Sequence, residues 1–269
     1  MKESKERLDV LLVERGYFKS REQAKRSIMA GIVFVDGERI DKAGTPVRAA
    51  SEILVKDNIC PYVSRGGLKL EKMIDLYGFS LKDTVCADIG ASTGGFTDCM
   101  LQKGAKKVFA IDVGYGQLDW KLRNDERVVN MEKCNIRYLD PDTIDDDITF
   151  ISIDVSFISL RLVFAVATKL LREDGSLVCL VKPQFEAGRE QVGKGGIVRD
   201  PKVHEEVINN VIDYGRTNGL YAHGLTFSPV TGAKGNIEYL LYMTKDKEGE
   251  TVDQLTIKKT VAESHEQLK

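Results

Sequence analysis

TVCADIGASTGGFTDCMLQKG, Thr84–Gly104, carries the pattern from which the fold can be read: a short apolar strand, a turn holding Gly90 and the pair Gly94-Gly95, then a helix. Glycine at these points lets the backbone take positive φ and pass close to a ligand. The N-terminus of the helix that follows favours negative charge. The turn DIGASTGGF, Asp88–Phe96, is not the GxGxxG dinucleotide fingerprint, and taken alone it is compatible with nucleotide binding in general.

KKVFAIDVG, ITFISID and SLVCLVK are further β-rich runs, spaced so that helices fit between them. Strands alternating with helices predict an α/β doubly wound domain with a mostly parallel sheet. Near the end YAHGLTFSPV and IEYLLYMTK are joined only by the turn-rich TGAKGN, so these two strands are expected to be antiparallel. In such sheets ligands lie beyond the carboxyl ends of the strands. Asp88 with Gly90, Asp112, Asp154 and Lys182 each close an apolar run and are expected there. A single aspartate after a strand is as readily a helix cap; a set of four is less easily explained so.

Ahead of this domain, Arg7–Glu14 predicts a short amphipathic helix with Leu8, Leu11 and Leu12 inward and Gly16 as its stop. Ser20 and Gln23 form a capping-box pattern for a second helix, with Ala24, Ile28 and Met29 inward and Gly31 at its end. Asp36-Gly37 between apolar stretches predicts a hairpin, because a type I′ turn needs positive φ at both central residues. Arg15, Lys19, Arg21, Lys25 and Arg26 crowd one stretch against a single Glu22, and Arg21 and Lys25 share a helix face. Such a stripe can grip phosphates by releasing their counterions, or be an ordinary solvated face. Asn58-Ile59-Cys60-Pro61 reads as the linker, which sets expected domains at 1–60 and 61–245 and a polar C-terminal tail at 246–269. Within that tail Val252, Leu255, Ile257 and Val261 would line a helix if one forms.

The chain has 269 residues, 42% hydrophobic and 30% charged, with a formal net charge of −2. That is enough apolar content for a sizeable core, and any nucleic-acid surface must be a local patch. The five cysteines are far apart and lack a CxxC, which fits buried thiols in a reducing cytosol and no metal. No segment approaches the ~20 apolar residues of a membrane span. The charged opening MKESKERLDVLLVERG offers only Val10–Val13 as an apolar run, so the expected location is cytoplasmic, away from membranes.

Four further signals occur in order: Lys69 in SRGGLKLEK, Asp154 in ISIDVSF, Lys182 in VCLVKPQFE and Glu238 in GNIEYLL. An amine that takes a proton from a hydroxyl must be deprotonated near neutral pH, far below the ordinary lysine value of ~10.4. Burial and a second cation push it that way, and carboxylates orient it. Two lysines with two acids make a self-consistent set for such chemistry; a buried structural ion-pair network is the bland alternative. GREQVGKGGIVR, within Glu186–Asp200, is glycine-rich and basic beside this edge: a loop that closes on a nucleic acid, or an ordinary connection. The acidic run Asp140–Asp147 is expected to face solvent, away from any nucleic acid.

These motifs resemble two known families. Residues 7–55 resemble, almost end to end, the S-four-type RNA-binding module named after a ribosomal small-subunit protein. The ordered Lys69, Asp154, Lys182 and Glu238 resemble the Lys-Asp-Lys-Glu tetrad of FtsJ-type ribose methyltransferases, and the combination resembles the TlyA family, whose members are described as cytidine 2′-O-methyltransferases of ribosomal RNA and, historically, as haemolysins. The resemblance implies a Rossmann-like methyltransferase domain with an antiparallel final strand, preceded by a small α+β RNA-binding domain. It implies S-adenosyl-L-methionine held by Asp88, Gly90, Ala91, Ser92, Gly94, Gly95, Phe96, Asp112, Val113, Asn135 and Asp154, with Asp112 at the ribose diol and Asn135 near the adenine. It implies ribosomal RNA or a ribosomal subunit as partner, met by Arg7, Arg15, Lys19, Arg21, Lys25, Arg26 and Arg65. Lys182 would be the base or activator, Lys69 its positioning partner, and Asp154 and Glu238 the orienting acids; the residues alone leave open which lysine loses its proton. A non-catalytic ribosome-assembly factor and a cytolysin are the competing readings. The first has no need of an intact tetrad, and the second lacks a spanning segment.

Overall fold

The computed structural model describes residues 5–18, 20–29, 31–55 and 60–268. The chain divides into two units, Met1–Arg65 and Gly66–Lys269.

In the first unit β1 (Lys5–Arg7) leads directly into α1 (Leu8–Glu14), and α2 (Arg21–Met29) follows. Gly16 and Gly31 take positive φ behind the two helices, as the stop positions require. Leu8, Leu11, Leu12, Ala24 and Ile28 form the core with Val33, Val35, Val47 and Ile53. Met29, expected inward, is instead 65% exposed: at the last position of α2 it has rotated past the packed stripe. The hairpin of β2 (Val33–Val35) and β3 (Glu38–Arg39) turns on Asp36 and Gly37, at φ 51° and 83°. β4 (Pro46–Arg48) pairs antiparallel with β1, and β5 (Ile53–Val55) pairs antiparallel with β2. The expected linker begins at residues 58 and 59, outside the described residues.

The second unit starts with α3 (Gly66–Tyr77) and then alternates: β6 (Val85–Ile89), α4 (Gly95–Gln102), β7 (Lys107–Ile111), α5 (Trp120–Arg123), β8 (Val128–Met131), β9 (Ile148–Ile153), α6 (Leu160–Leu170) and β10 (Leu171–Val181). After β10 come α7 (Pro183–Glu186), α8 (Pro201–Thr217), β11 (Tyr221–Phe227), β12 (Tyr239–Thr244) and α9 (Gln254–Gln267). The seven strands form one sheet in the order β11-β12-β10-β9-β6-β7-β8. β10, β9, β6, β7 and β8 are mutually parallel, and β12 runs antiparallel to both its neighbours. The last strand is therefore wedged between β11 and β10. From the adjacent pair β6 and β9 the chain steps outward in opposite directions, β6 to β7 and β8 on one side and β9 to β10 on the other. That pair is the switch point at which the loops part and leave a crevice.

The central strands are apolar on both faces and buried, as a sheet covered by helices requires. Val252, Ile257 and Val261 of the expected tail are buried in the same core, and Leu255 is exposed. Of the polar C-terminal stretch, residues 254–267 thus form a helix that packs on α8 and β11. All five cysteines are free thiols. Among the described residues no helix is long and apolar enough to cross a membrane, and no cluster has metal-ligand character.

Candidate active site

Three loops and the start of one helix converge beyond the carboxyl edge of the parallel strands. Asp154 follows β9 and Lys182 follows β10; Glu238 directly precedes the antiparallel β12, whose first residue, Tyr239, pairs with Val181. Lys69 comes from the first turns of α3. The structure brings all four together. Lys182 Nζ lies 2.6 Å from Asp154 Oδ1, and Lys69 Nζ lies 2.8 Å from Glu238 Oε2 and 3.8 Å from the other Asp154 oxygen. Cations and carboxylates therefore alternate along a chain from Lys182 to Glu238. Lys69, Lys182 and Glu238 are buried, where charges of one sign alone would be costly and opposite charges in contact offset that cost.

Three residues given no role in the sequence reading fasten this chain. Lys182 Nζ donates to Ser156 Oγ at 3.0 Å, and Gln184 Nε2 donates to Glu238 Oε1 at 3.2 Å. Glu186 accepts from Ser159 Oγ at 2.7 Å and from Leu160 N at 2.8 Å. It thereby ties the loop after β9 to the turn after β10. Burial raises the Glu186 carboxyl above the ordinary range, opposed by these same hydrogen bonds. Beside them Phe157 is 90% exposed, at φ 62°, with its ring 4.8 Å from that of Phe185. A bulky residue with positive φ is uncommon and clusters at functional sites.

The glycine turn lies at the switch point. Gly90 has φ 87° and Gly94 φ 93°, and Gly95 and Phe96 begin α4. Asp112, at the end of β7, accepts from Ser92 N at 2.8 Å and from Gly114 N at 2.6 Å. Each of its oxygens keeps one further acceptor direction, which suits a diol. Ala91 is buried, while Ser92, Val113 and Asn135 are exposed around the same opening, Asn135 capping a short turn after β8. Asp88 is placed differently. It lies within β6, with Oδ2 accepting from Thr97 N at 2.9 Å and Thr97 Oγ1 at 2.6 Å, and Oδ1 accepting from Ser152 Oγ at 3.0 Å. Burial pushes its carboxyl up to about 6, with the Thr97 and Ser152 hydrogen bonds opposing. Its visible bonds anchor the start of α4 to the sheet. Gly90 likewise serves the chain: a Cβ there would lie 2.3 Å from the Asp154 carbonyl oxygen.

Four basic groups of the first unit, Arg7, Arg15, Arg21 and Lys25, are engaged within it. Asp9, fully buried, accepts from Arg7 and Arg21 at 2.9 Å each. The Arg7 hydrogen bond, helped by Arg21, holds the Asp9 carboxyl down at about 2 against its burial. Arg15 donates to the backbone oxygens of Ala49 and Ser51, and Lys25 pairs with Glu22 at 2.9 Å. Arg7 and Arg21 remain half exposed, and Arg65 is exposed. Arg26 lies in the last turn of α2; Lys19 falls outside the described residues.

Residues 62–245 match the family described as FtsJ-like methyltransferase, and residues 6–53 match the S4 domain. A Bacillus subtilis (strain 168) protein provisionally named rRNA methyltransferase YqxC is 53% identical over all of this chain and 97% of its own length. The 16S/23S rRNA (cytidine-2′-O)-methyltransferase TlyA of Mycobacterium tuberculosis (strain ATCC 25618 / H37Rv) is 42% identical over 88% of this chain and 89% of its own. Among solved structures, one from Streptococcus thermophilus, provisionally described as a hemolysin, superposes with a TM-score of 0.78 at 49% identity, covering 98% of this chain and 96% of that one.

Proposed function

The chain belongs to the FtsJ-like methyltransferase family, with an S4 domain ahead of the methyltransferase domain, and from that membership we propose that it methylates the 2′-oxygen of a cytidine ribose in ribosomal RNA. The observation that carries the proposal is the alternating chain Lys182–Asp154–Lys69–Glu238 at the same strand edge as the glycine turn.

The residues present fit S-adenosylmethionine: a turn with positive φ at Gly90 and Gly94, an α4 N-terminus, and an Asp112 carboxylate with acceptor capacity left over. Ser92, Val113 and Asn135 would line the adenosine half and Asp112 would take the ribose hydroxyls. When bound, the cofactor supplies an electrophilic methyl group on a sulfonium. Lys69 lies beside two carboxylates, whereas Lys182 lies beside one carboxylate and a neutral hydroxyl. We therefore assign Lys182 the task of accepting the 2′-hydroxyl proton as the oxygen forms its bond to the methyl carbon and the carbon–sulfur bond breaks. Asp154 holds the Lys182 nitrogen in place, and Glu238 holds Lys69. Phe157 offers an exposed ring face on which a base can stack. The S4 domain supplies RNA affinity through the exposed parts of its arginines and lysines.

Mass mapping of ribose methylation on ribosomal RNA from cells with and without the protein tests this reading. A cytidine that carries a 2′-O-methyl group only when the protein is present supports it; identical methylation maps refute it.

A further inference from the structure

The connection after β10, the loop before β12 and the end of α9 line an open cavity of about 380 Å³ that the methyl-transfer chemistry does not use. Its apolar lining includes Ile197, Ile237 and Leu268, and its polar lining is Arg199, Lys234 and His265, with no carboxylate among the described residues that form it. The walls are built rather than incidental. Asn236, buried, accepts from Val198 N at 3.3 Å and donates to Gly196 O at 2.9 Å, fastening one loop to the other. His265 Nε2 lies 3.2 Å from His204 Nδ1, and His204 is itself fixed by Tyr239 Oη at 2.7 Å and Val198 O at 3.1 Å.

Location and chemistry point to one class of occupant. Both loops leave the strand edge that carries the tetrad, and Ile237 is the chain neighbour of Glu238. Arg199 and Lys234 are exposed and have no ion-pair partner among the described residues. An apolar floor under two unpaired cations fits a flat, weakly polar body that carries a phosphate. The volume falls in the range of about 300–1,000 Å³ usual for small-molecule sites. We propose that this cavity is a subsite for the nucleotide flanking the methylated one in the RNA strand. Its base rests on Ile197, Ile237 and Leu268, and its phosphate meets Arg199 and Lys234. The proposal rests on the methyl-transfer reading for the identity of the RNA, but not for the binding of a nucleotide.

The chain has three histidines, so imidazole NMR of the full-length protein gives a reporter inside the cavity, His265, and one outside its lining, His223. Titration with cytidine 5′-monophosphate should shift the His265 signals saturably and leave those of His223 in place. Inorganic phosphate and cytidine, each alone, should act at least tenfold more weakly. In a variant carrying Arg199→Glu and Lys234→Glu the nucleotide shift should vanish. With ribosomal RNA the same variant should need at least tenfold more RNA for half-saturation, with turnover at saturation within twofold of wild type. An unmoved His265, a shift by phosphate equal to that by the nucleotide, or unchanged RNA saturation in the variant overturns the subsite. If the wild-type protein methylates no RNA, the methyl-transfer reading fails while the nucleotide titration still decides the cavity.

Discussion

Replacing Gly90 by alanine separates two explanations of the glycine turn: room for a ligand, or room for the chain itself. A Cβ at Gly90 would lie 2.3 Å from the Asp154 carbonyl oxygen and 2.8 Å from its carbon. Unstrained C···O contacts in proteins begin near ~3.3 Å, so the two strand tips would have to part by about 1 Å. They are held together by Asp154 N donating to Ile89 O at 2.9 Å, and Gly90 N donating to Ile111 O at 2.8 Å ties the β6 tip to β7 on its other side. The φ of 87° adds roughly 1–2 kcal/mol for any L-residue, and overpacking against backbone adds about 1–3 kcal/mol. The expected loss is therefore about 2–5 kcal/mol. Gly78, at φ 67° behind α3 with nothing within 4 Å of its added Cβ, isolates the backbone part, and Gly78→Ala should cost only about 1–2 kcal/mol. Urea unfolding of both variants without cofactor is the assay. If Gly90→Ala unfolds at the same midpoint as Gly78→Ala, the overlap argument is wrong and the glycine is there for a ligand. The same geometry means that lost activity in a Gly90 variant does not by itself prove cofactor contact, since the displaced carbonyl belongs to Asp154.

Other predictions follow from the same contacts. Lys182→Ala should lower single-turnover methylation by about 10² to 10⁴ with RNA and cofactor affinity near wild type, and Lys182→Arg should not rescue, because a guanidinium does not give up its proton; a near-normal arginine variant would move the proton-accepting role to Lys69 or solvent. His204 and Asp88 should bend the stability profile in opposite directions. Burial holds His204 down at about 4 from 6.5, so as pH falls from 6.5 towards 4 the unfolded chain takes the proton first and up to about 3 kcal/mol is lost. Asp88, raised from 3.8 to about 6, protonates first in the folded protein, and stability rises as pH falls through 6 towards 4. Denaturation midpoints should fall less steeply on acidification in His204→Gln and more steeply in Asp88→Asn; unchanged slopes contradict these assignments. In the first unit, Arg21→Glu should destabilise by about 1–2 kcal/mol, the value of a charged hydrogen bond discounted for a half-exposed partner, because Asp9 loses one of two cations. Lys25→Gln should leave stability within about 0.5 kcal/mol and flatten the log–log salt dependence of RNA binding by up to about 0.9; a full slope would make Lys25 a solvated side chain only.

The sheet was legible because its strands are buried on both faces and so read as apolar runs bounded by glycine and acids: β6, β7, β9 and β10 all coincide with such runs. β8, RVVNM within a polar setting, carries no comparable signal. The positions of Asp154, Lys182 and Glu238 beside strand ends follow from charge interrupting hydrophobic pattern, and their order along the chain carried the rest. What holds them could not be read. Ser156 meets Lys182 from 26 residues away and Gln184 meets Glu238 from 54, and a serine or glutamine in a loop has no pattern that marks it. The contacts of Asp88 were hidden for a related reason. Its place near a strand end suggests a ligand, and what the pattern does not mark is that its side chain also accepts from Thr97 and from Ser152, its partner on β9. Helical spacing puts Arg21 and Lys25 on one face, and the buried acid that engages Arg21 lies 12 residues upstream, outside any local window.

Methyl transfer to a cytidine 2′-oxygen can be followed with the purified chain, S-adenosylmethionine with an isotopically labelled methyl group, and ribosomal RNA from cells lacking the protein. Complete digestion to nucleosides followed by mass spectrometry should place the label in 2′-O-methylcytidine with the wild-type protein, and at least about 10²-fold less of it with Lys182→Ala. Label on a base rather than a ribose, or equal 2′-O-methylcytidine from wild type and Lys182→Ala, would contradict the account.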